Sequence, residues 1–431
     1  MDSVYEALQA YFPGRDAMAA LPVRTSSAPP DTWAPRLSKV ALPDWADGPV
    51  SGYLLVPEGA RCGPDWRQVD WWRAAHWYLA GIAERALERR RGPIHSYSVL
   101  LRNFDPRMWE RAWVNRIGLF LRSWAAHRGP LSPPPVPTAQ LWLTHDVDAV
   151  RKTPAIRLKQ SAFQLFNAVR SLARLRLGDA LEAVAQGVLF FLRTADYWAF
   201  EAIRELERRH GFNSLFLFYG GPGGWRRSPR ALLLDPDYDV REPRISTAIR
   251  ALQEEGCRVG LHQAFDSWRC PDRMRRERER LQQVSRRPVV VCRQHWLRFS
   301  WEHTWRAQEE AGLLLDTTLA FNDRPGFRNG AALRFRPGDG RLQAIPTVLM
   351  DSQLYDYRTA SSPVTWLDEI QAVGGEACVI WHQQVFNPDY GWEAGYRDLL
   401  QDLGRRQGLK AAPIHPDLPD SEGADPRGQT P

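Results

Sequence analysis

The sequence predicts an α/β protein, a distorted (β/α) barrel of about seven strands that follows a mainly helical N-terminal module. Three observations carry this. Beyond residue 197, helix-like stretches alternate with short apolar runs, the pattern of parallel strands joined by helices. Ionisable side chains fall at the ends of such runs: Asp146 and Asp148, His262, Arg293 and His295, Asp316, and His382. In a parallel barrel those ends form the rim where reactive groups gather. Finally, a proline-rich stretch, LSPPPVP at 131–137, separates this pattern from a different one upstream.

Taken in order, residues 1–130 read as one module. Trp72, Ala75, Leu79 and Ile82 recur at helical spacing, within a helix expected from Trp66 to Arg89. Pro106 is a natural helix start, and Trp109, Trp113, Ile117, Phe120 and Trp124 mark a second helix from Arg107 to His127. A tryptophan stripe of this period reads as core. Residues 131–140 are a linker, and the barrel runs over 141–395, opening with the strand LWLTHDVD from Leu141 to Asp148.

Helix–strand pairs follow. Tyr197–His210 leads to Ser214–Tyr219, Ile245–Glu255 to Val259–His262, and Arg273–Val284 to Val289–His295. Trp301–Glu310 leads to Leu313–Asp316, Thr347–Met350 follows a loop, and Trp366–Val373 leads to Cys378–His382. An insert from Arg151 to Arg193 is helical and basic, and has no place in the alternation. The tail, 411–431, is rich in Pro, Asp and Gly and is expected to be disordered.

At 431 residues, 44% hydrophobic and 25% charged, the chain has the make-up of a globular protein of two or three domains. Net charge is +7, but 57 basic residues face 50 acidic ones and the arginine surplus is spread out. That is the signature of mixed-charge helix faces, so nucleic-acid binding is not expected, while an anionic polymer substrate is compatible. The five scattered cysteines form neither a disulfide framework nor a zinc knuckle. With no basic-then-apolar leader and no long apolar window, no transmembrane segment is expected and the default compartment is the cytoplasm. The 19 tryptophans favour a carbohydrate partner, whose rings stack on indoles.

The chemistry starts at Asp146 and Asp148. On a strand, residues i and i+2 share a face, and two adjacent carboxylates repel unless a cation or a shared proton relieves them. Downstream, His262 heads the stretch HQAFD that ends in Asp266, and CRQHW holds Arg293, His295 and Trp296. Asp316 opens DTTL, and His382 closes CVIWH. The loop DRPGFRNG at 323–330 is expected near the site mouth, with Arg328 contacting substrate.

The order and types of these motifs resemble the polysaccharide deacetylases, carbohydrate esterase family 4, over roughly residues 140–390. The resemblance implies a general base, Asp146, and a metal ligand, Asp148. His262 matches the first histidine of the family's His-x-x-x-His metal pair, and Asp266 stands where the second is expected. Asp148, His262 and Asp266 would then form a three-ligand open site, with His295 a candidate substitute in a position where the family usually has proline. Arg293 would hold the catalytic carboxylate, with Trp296 the aromatic that follows it on the substrate side. Asp316 would support the catalytic apparatus, or cap a turn. His382 would protonate the leaving group.

The implied cofactor is a divalent metal, zinc by family habit, its identity open because of Asp266. The implied activity is metal-dependent removal of acetyl groups from a saccharide or polysaccharide. A catalytically inactive glycan-binding barrel and a C–N hydrolase acting on a small amide remain alternatives.

Overall fold

The computed structural model describes residues 2–129, 134–172, 175–224, 227–354 and 361–413. Part of the expected linker, 131–133, and the expected disordered tail from 414 lie outside them. In the N-terminal region, β1 (Leu37–Ala41) and β2 (Tyr53–Pro57) form an antiparallel pair that no sequence pattern announced. The remaining strands are β3 (Ala139–Val147), β4 (Leu215–Tyr219), β5 (Arg258–Gln263), β6 (Val291–Gln294) and β7 (Leu315–Asp316). They continue with β8 (Gln343–Ala344), β9 (Thr347–Met350), β10 (Glu376–Ile380) and β11 (Leu409–Ala411).

These nine make one parallel sheet in the order β8-β7-β6-β5-β4-β3-β10-β9, with β11 pairing the start of β3. The seven expected strands are β3, β4, β5, β6, β7, β9 and β10. The two unexpected ones, β8 and β11, are only two and three residues long, too short for a periodicity to register.

One side chain reveals the curl of the sheet. Arg293 on β6 donates to Asp146 Oδ1 (2.7 Å) and Thr144 Oγ1 (2.8 Å) on β3, and to Thr347 Oγ1 (3.3 Å) on β9. In a flat sheet β6 and β9, five places apart, would lie about 24 Å from each other at ~4.8 Å per strand. A guanidinium reaches both only because the sheet is rolled into a barrel. Alternation on β3 directs its neighbours: Thr144 and Asp146 point to Arg293, while His145 points the other way, to Glu207 Oε1 (3.0 Å) and Tyr396.

The helix expected from Trp66 to Arg89 is instead two, Trp71–Leu79 and Ile82–Arg91. Gly81 breaks it with φ +59°, at a point where a Cβ would sit 2.3 Å from the Trp301 ring. Likewise Pro106 opens only a 3₁₀ turn, and the helix proper runs Trp113–Arg128. Trp72, Trp109, Trp113 and Trp124 are buried, as a core stripe requires. The N-terminal region shares one hydrophobic cluster with the barrel. Polar ties reinforce it: buried Glu369 binds Arg116 (2.6 Å) and Arg111 (2.8 Å), and Asn115 pairs with both backbone groups of Ala332 (2.9 and 3.0 Å). All five cysteines are free.

Candidate active site

Five strand ends supply the site. β3 delivers Asp146 and, just past its end, Asp148; β5 delivers His262; β6 delivers Arg293 and then His295. Asp351 follows β9 and His382 follows β10. Asp146, Asp148 and the three histidines line one pocket whose apolar wall is Leu297, Met350 and Ile380.

Asp148 is the hub. Its Oδ1 lies 3.2 Å from His262 Nε2 and 3.5 Å from His295 Nε2, and its Oδ2 lies 3.5 Å from His382 Nε2. Asp148, His262 and His295 each offer a donor atom within 4.8 Å of the others. His262 Nδ1 faces the Arg293 carbonyl at 3.2 Å, an oxygen that can only accept, so in the neutral ring Nδ1 carries the proton and Nε2 presents a lone pair. That lone pair confronts a carboxylate oxygen, and both atoms are buried with no hydrogen-bond partner. Two facing lone pairs repel, and a shared cation relieves them. Two imidazoles and a carboxylate form a donor set suited to zinc or a similar divalent ion.

Charge points the same way. Asp146, Asp148, Asp235 and Asp351 converge on the three histidines, with Arg293 the arginine bound to Asp146. With His295 unprotonated, as a metal ligand must be, a protonated His382 and a dication would bring this cluster to neutrality. Burial alone would raise the Asp148 carboxyl, but His295, His262 and His382 outweigh it and hold the group well below the usual range. Burial likewise works against ionising Asp146, and Arg293, then His262 and His382, reverse it to a net lowering. His382 is pushed up to about 10: burial opposes its charge, and Asp351 and then Asp148 prevail. His295 is pushed up to about 9 in the same way by Asp148 and Asp235.

After His295 the backbone takes an unusual course. Trp296 and Leu297 both adopt left-handed conformations, φ +57° and +49°, which cost side-chain-bearing residues energy and recur at functional sites. The Trp296 carbonyl accepts from Asn322 Nδ2 (2.7 Å) and Ser96 Oγ (3.0 Å), and its indole donates to the Leu234 carbonyl (3.2 Å). So held, Trp296 stands between the pocket and an adjoining cleft bounded by Tyr197 and Tyr390.

Three expected site residues lie elsewhere. Asp266 pairs with Arg230 (2.8 Å) and Arg298 (2.9 Å), because β5 ends at Gln263 and the chain bends, so the fourth residue on from His262 does not share its direction. His295 takes the third donor position in its place. Arg328 is buried on Glu84 (2.8 Å) and the Ala320 carbonyl (2.9 Å), joining the N-terminal region to the barrel rather than meeting substrate. Asp316 accepts from Trp305 and Gln308 (2.9 Å each), and from Thr318, whose Oγ1 in turn accepts the Gln294 N–H (3.0 Å). It braces the β6–β7 end and touches none of the reacting groups.

Two residues went unread. Asp351 was legible, since an acid directly after the apolar run TVLM is the signal used for the other strand ends. Asp235, with Oδ1 3.6 Å from His295 Nδ1, sits in a loop that carries no periodic pattern.

No protein-family model and no curated protein matches this sequence. Solved structures overlay in part. A provisionally assigned polysaccharide deacetylase from Mycobacterium smegmatis is 19% identical, covering 66% of this chain and 90% of its own, at TM-score 0.39. A family 4 carbohydrate esterase from Streptomyces lividans, in complex with acetate, is 12% identical over 65% of this chain and 95% of its own, at TM-score 0.30. A family 4 pseudoenzyme from Bacillus anthracis is 11% identical over 67% and 68%, at TM-score 0.29. Overlays this weak carry no argument about chemistry, which has to come from the residues themselves.

Proposed function

We propose that the protein is a metal-dependent hydrolase of the carbohydrate esterase family 4 type, removing acetyl groups from a saccharide or polysaccharide. The observation that carries this is the facing pair of partnerless donor atoms, Asp148 Oδ1 and His262 Nε2, with His295 beside them. They lie between an arginine-held carboxylate and an aspartate-held histidine. Asp148, His262 and His295 would hold the cation. When bound, it supplies Lewis-acid polarisation of the acyl carbonyl and acidifies water.

The protein's own groups do the rest. Asp146, kept ionised and aimed by Arg293, takes a proton from water as its oxygen bonds to the acyl carbon. Leu297, Met350 and Ile380 form an apolar wall suited to the acetyl methyl. His382, protonated and braced by Asp351, gives a proton to the departing amine or alkoxide as the acyl bond breaks and acetate leaves. The alternative of an inactive glycan-binding barrel rested on the missing second histidine; His295, beside Asp148 and His262, supports the metal-dependent reading instead.

Purified protein supplied with a divalent metal is expected to release acetate from acetylated saccharides, and Asp148→Ala to abolish the release. Failure across a broad panel of acetylated sugars, with metal bound, sinks the reading.

A further inference from the structure

The proposed chemistry leaves the insert without a role. Its helices, Pro154–Leu172 and Leu177–Leu192, form a hairpin, closing where Ser161 Oγ donates to the Gly187 carbonyl (2.9 Å). Each helix also carries an apolar stripe that no other described residue covers. Leu158, Leu165 and Val169 recur at helical spacing on the first, and Leu181, Val184 and Val188 on the second. Leu158 is 68% exposed and Leu181 73%. Leu165 faces Val184 and Val188 across a groove, so the two stripes form one continuous face. An amphipathic helix of a globular protein turns such a stripe to the core; here it is turned outward, as at a membrane or partner surface.

The charge distribution selects the occupant. Residues 151–193 contain eight Lys and Arg against two acids; beyond Arg151 and Lys152, which pair with Glu242 and Asp389 at the root, the hairpin keeps a net charge of +4. Arg170, Arg176 and Arg193 are exposed along it. Basic side chains around an apolar face complement an anionic lipid surface, whereas a second copy of this chain would press two like-charged hairpins together. Among the described residues no helix is long and apolar enough to cross a membrane, which favours a hairpin lying in the interface plane.

The hairpin is tied to the site. At its root, buried Lys152 binds Asp389 (2.7 Å), which also accepts from Tyr197 (3.0 Å). Ile156 and Gln160 on its first helix line the same cleft as Asp148, His295 and Trp296.

We propose that the hairpin docks on an anionic membrane surface and presents the cleft to a saccharide anchored there by a lipid. The docking half stands on the exposed face alone; the substrate half rests on the deacetylase reading. The test floats the full-length protein with vesicles of phosphatidylglycerol and phosphatidylethanolamine, and with vesicles of phosphatidylcholine. Binding is expected to the first, and to fall at least about tenfold on the neutral vesicles or in high salt. The Leu181→Glu/Val188→Glu variant is expected to lose vesicle binding while keeping acetate release from a soluble acetylated saccharide. It should also lose a preference, about tenfold or more in the wild type, for an acetylated glycolipid held in vesicles over its soluble headgroup.

Absent or salt-insensitive vesicle binding overturns docking, even in a protein that deacetylates soluble sugars. So does a wild-type dimer that the double variant splits, because a second copy then covers the face. Vesicle binding without acetate release from any substrate upholds docking and overturns only the substrate half.

Discussion

Asp351 holds His382 at two points, accepting from Nδ1 at 2.8 Å and from the backbone N–H at 2.7 Å. The ring can turn neither way without losing a charge-assisted hydrogen bond, and its Nε2 is thereby aimed into the pocket.

Asp351→Asn should therefore impair proton donation more than binding. Turnover on an N-acetylated sugar is expected to fall by about 100-fold or more, the scale of general acid catalysis, with KM little changed. An aryl acetate, whose phenolate leaves without a proton, should be hydrolysed at a rate close to the wild type. Equal losses on both substrates would assign Asp351 to folding alone.

The exchange of Asp266 for His295 in the donor set is open to direct measurement. His295→Ala is expected to weaken zinc binding by more than the roughly 10–100-fold that losing a supporting hydrogen bond costs. Asp266→Asn should leave metal content unchanged, since Asp266 is occupied by Arg230 and Arg298. Elemental analysis of the two purified variants decides between them, and the reverse result would restore Asp266 as a ligand.

Arg328 and Glu84 are almost fully buried and joined at 2.8 Å. Removing one member of such a pair leaves a buried charge without its partner and costs about 3–5 kcal/mol. Arg328→Ala should lower the unfolding midpoint in urea accordingly. The surviving folded enzyme should keep its KM for a soluble acetylated saccharide, because Arg328 does not reach the pocket.

Glu277 supplies a pH dependence away from the reacting groups. Burial, against hydrogen bonds from Ser267 and Ala264, pushes its carboxyl up to about 7. Between the ordinary carboxylate range and pH 7 the folded protein thus holds a proton that the unfolded chain has released. Stability falls as pH rises through that window and levels off above it, a span worth roughly 3 kcal/mol. Glu277→Gln should flatten this slope when urea unfolding is compared at pH 5 and pH 8. An unchanged slope would assign it to other groups.

Much of the site was readable because parallel strands buried on both faces appear as bare apolar runs, so the first ionisable residue after each run stands out. Asp146, Asp148, His262, Arg293, His295 and His382 were all found this way, and they do meet. Asp266 misled because it stands where the resembling family has its second histidine, and the chain there bends so that it pairs with Arg230 and Arg298 instead. Arg328 misled because its partner, Glu84, lies 244 residues away.

The sequence by itself determined seven of the strands, their parallel direction and which side chains end on the rim, since these follow from local periodicity and from the polarity of each strand's end. Tertiary structure alone decided which of those side chains share a centre. Curling the sheet brought β6 and β9 to one guanidinium, and the ends of β3, β5 and β6 to one centre where His295 stands beside Asp148. The fold also sent Asp266 and Arg328 to other partners. Pairing across hundreds of residues depends on how the whole core packs, and no local pattern encodes it. The same holds for the hairpin: its basic, apolar helices were legible, but that their stripes face outward beside the cleft was not.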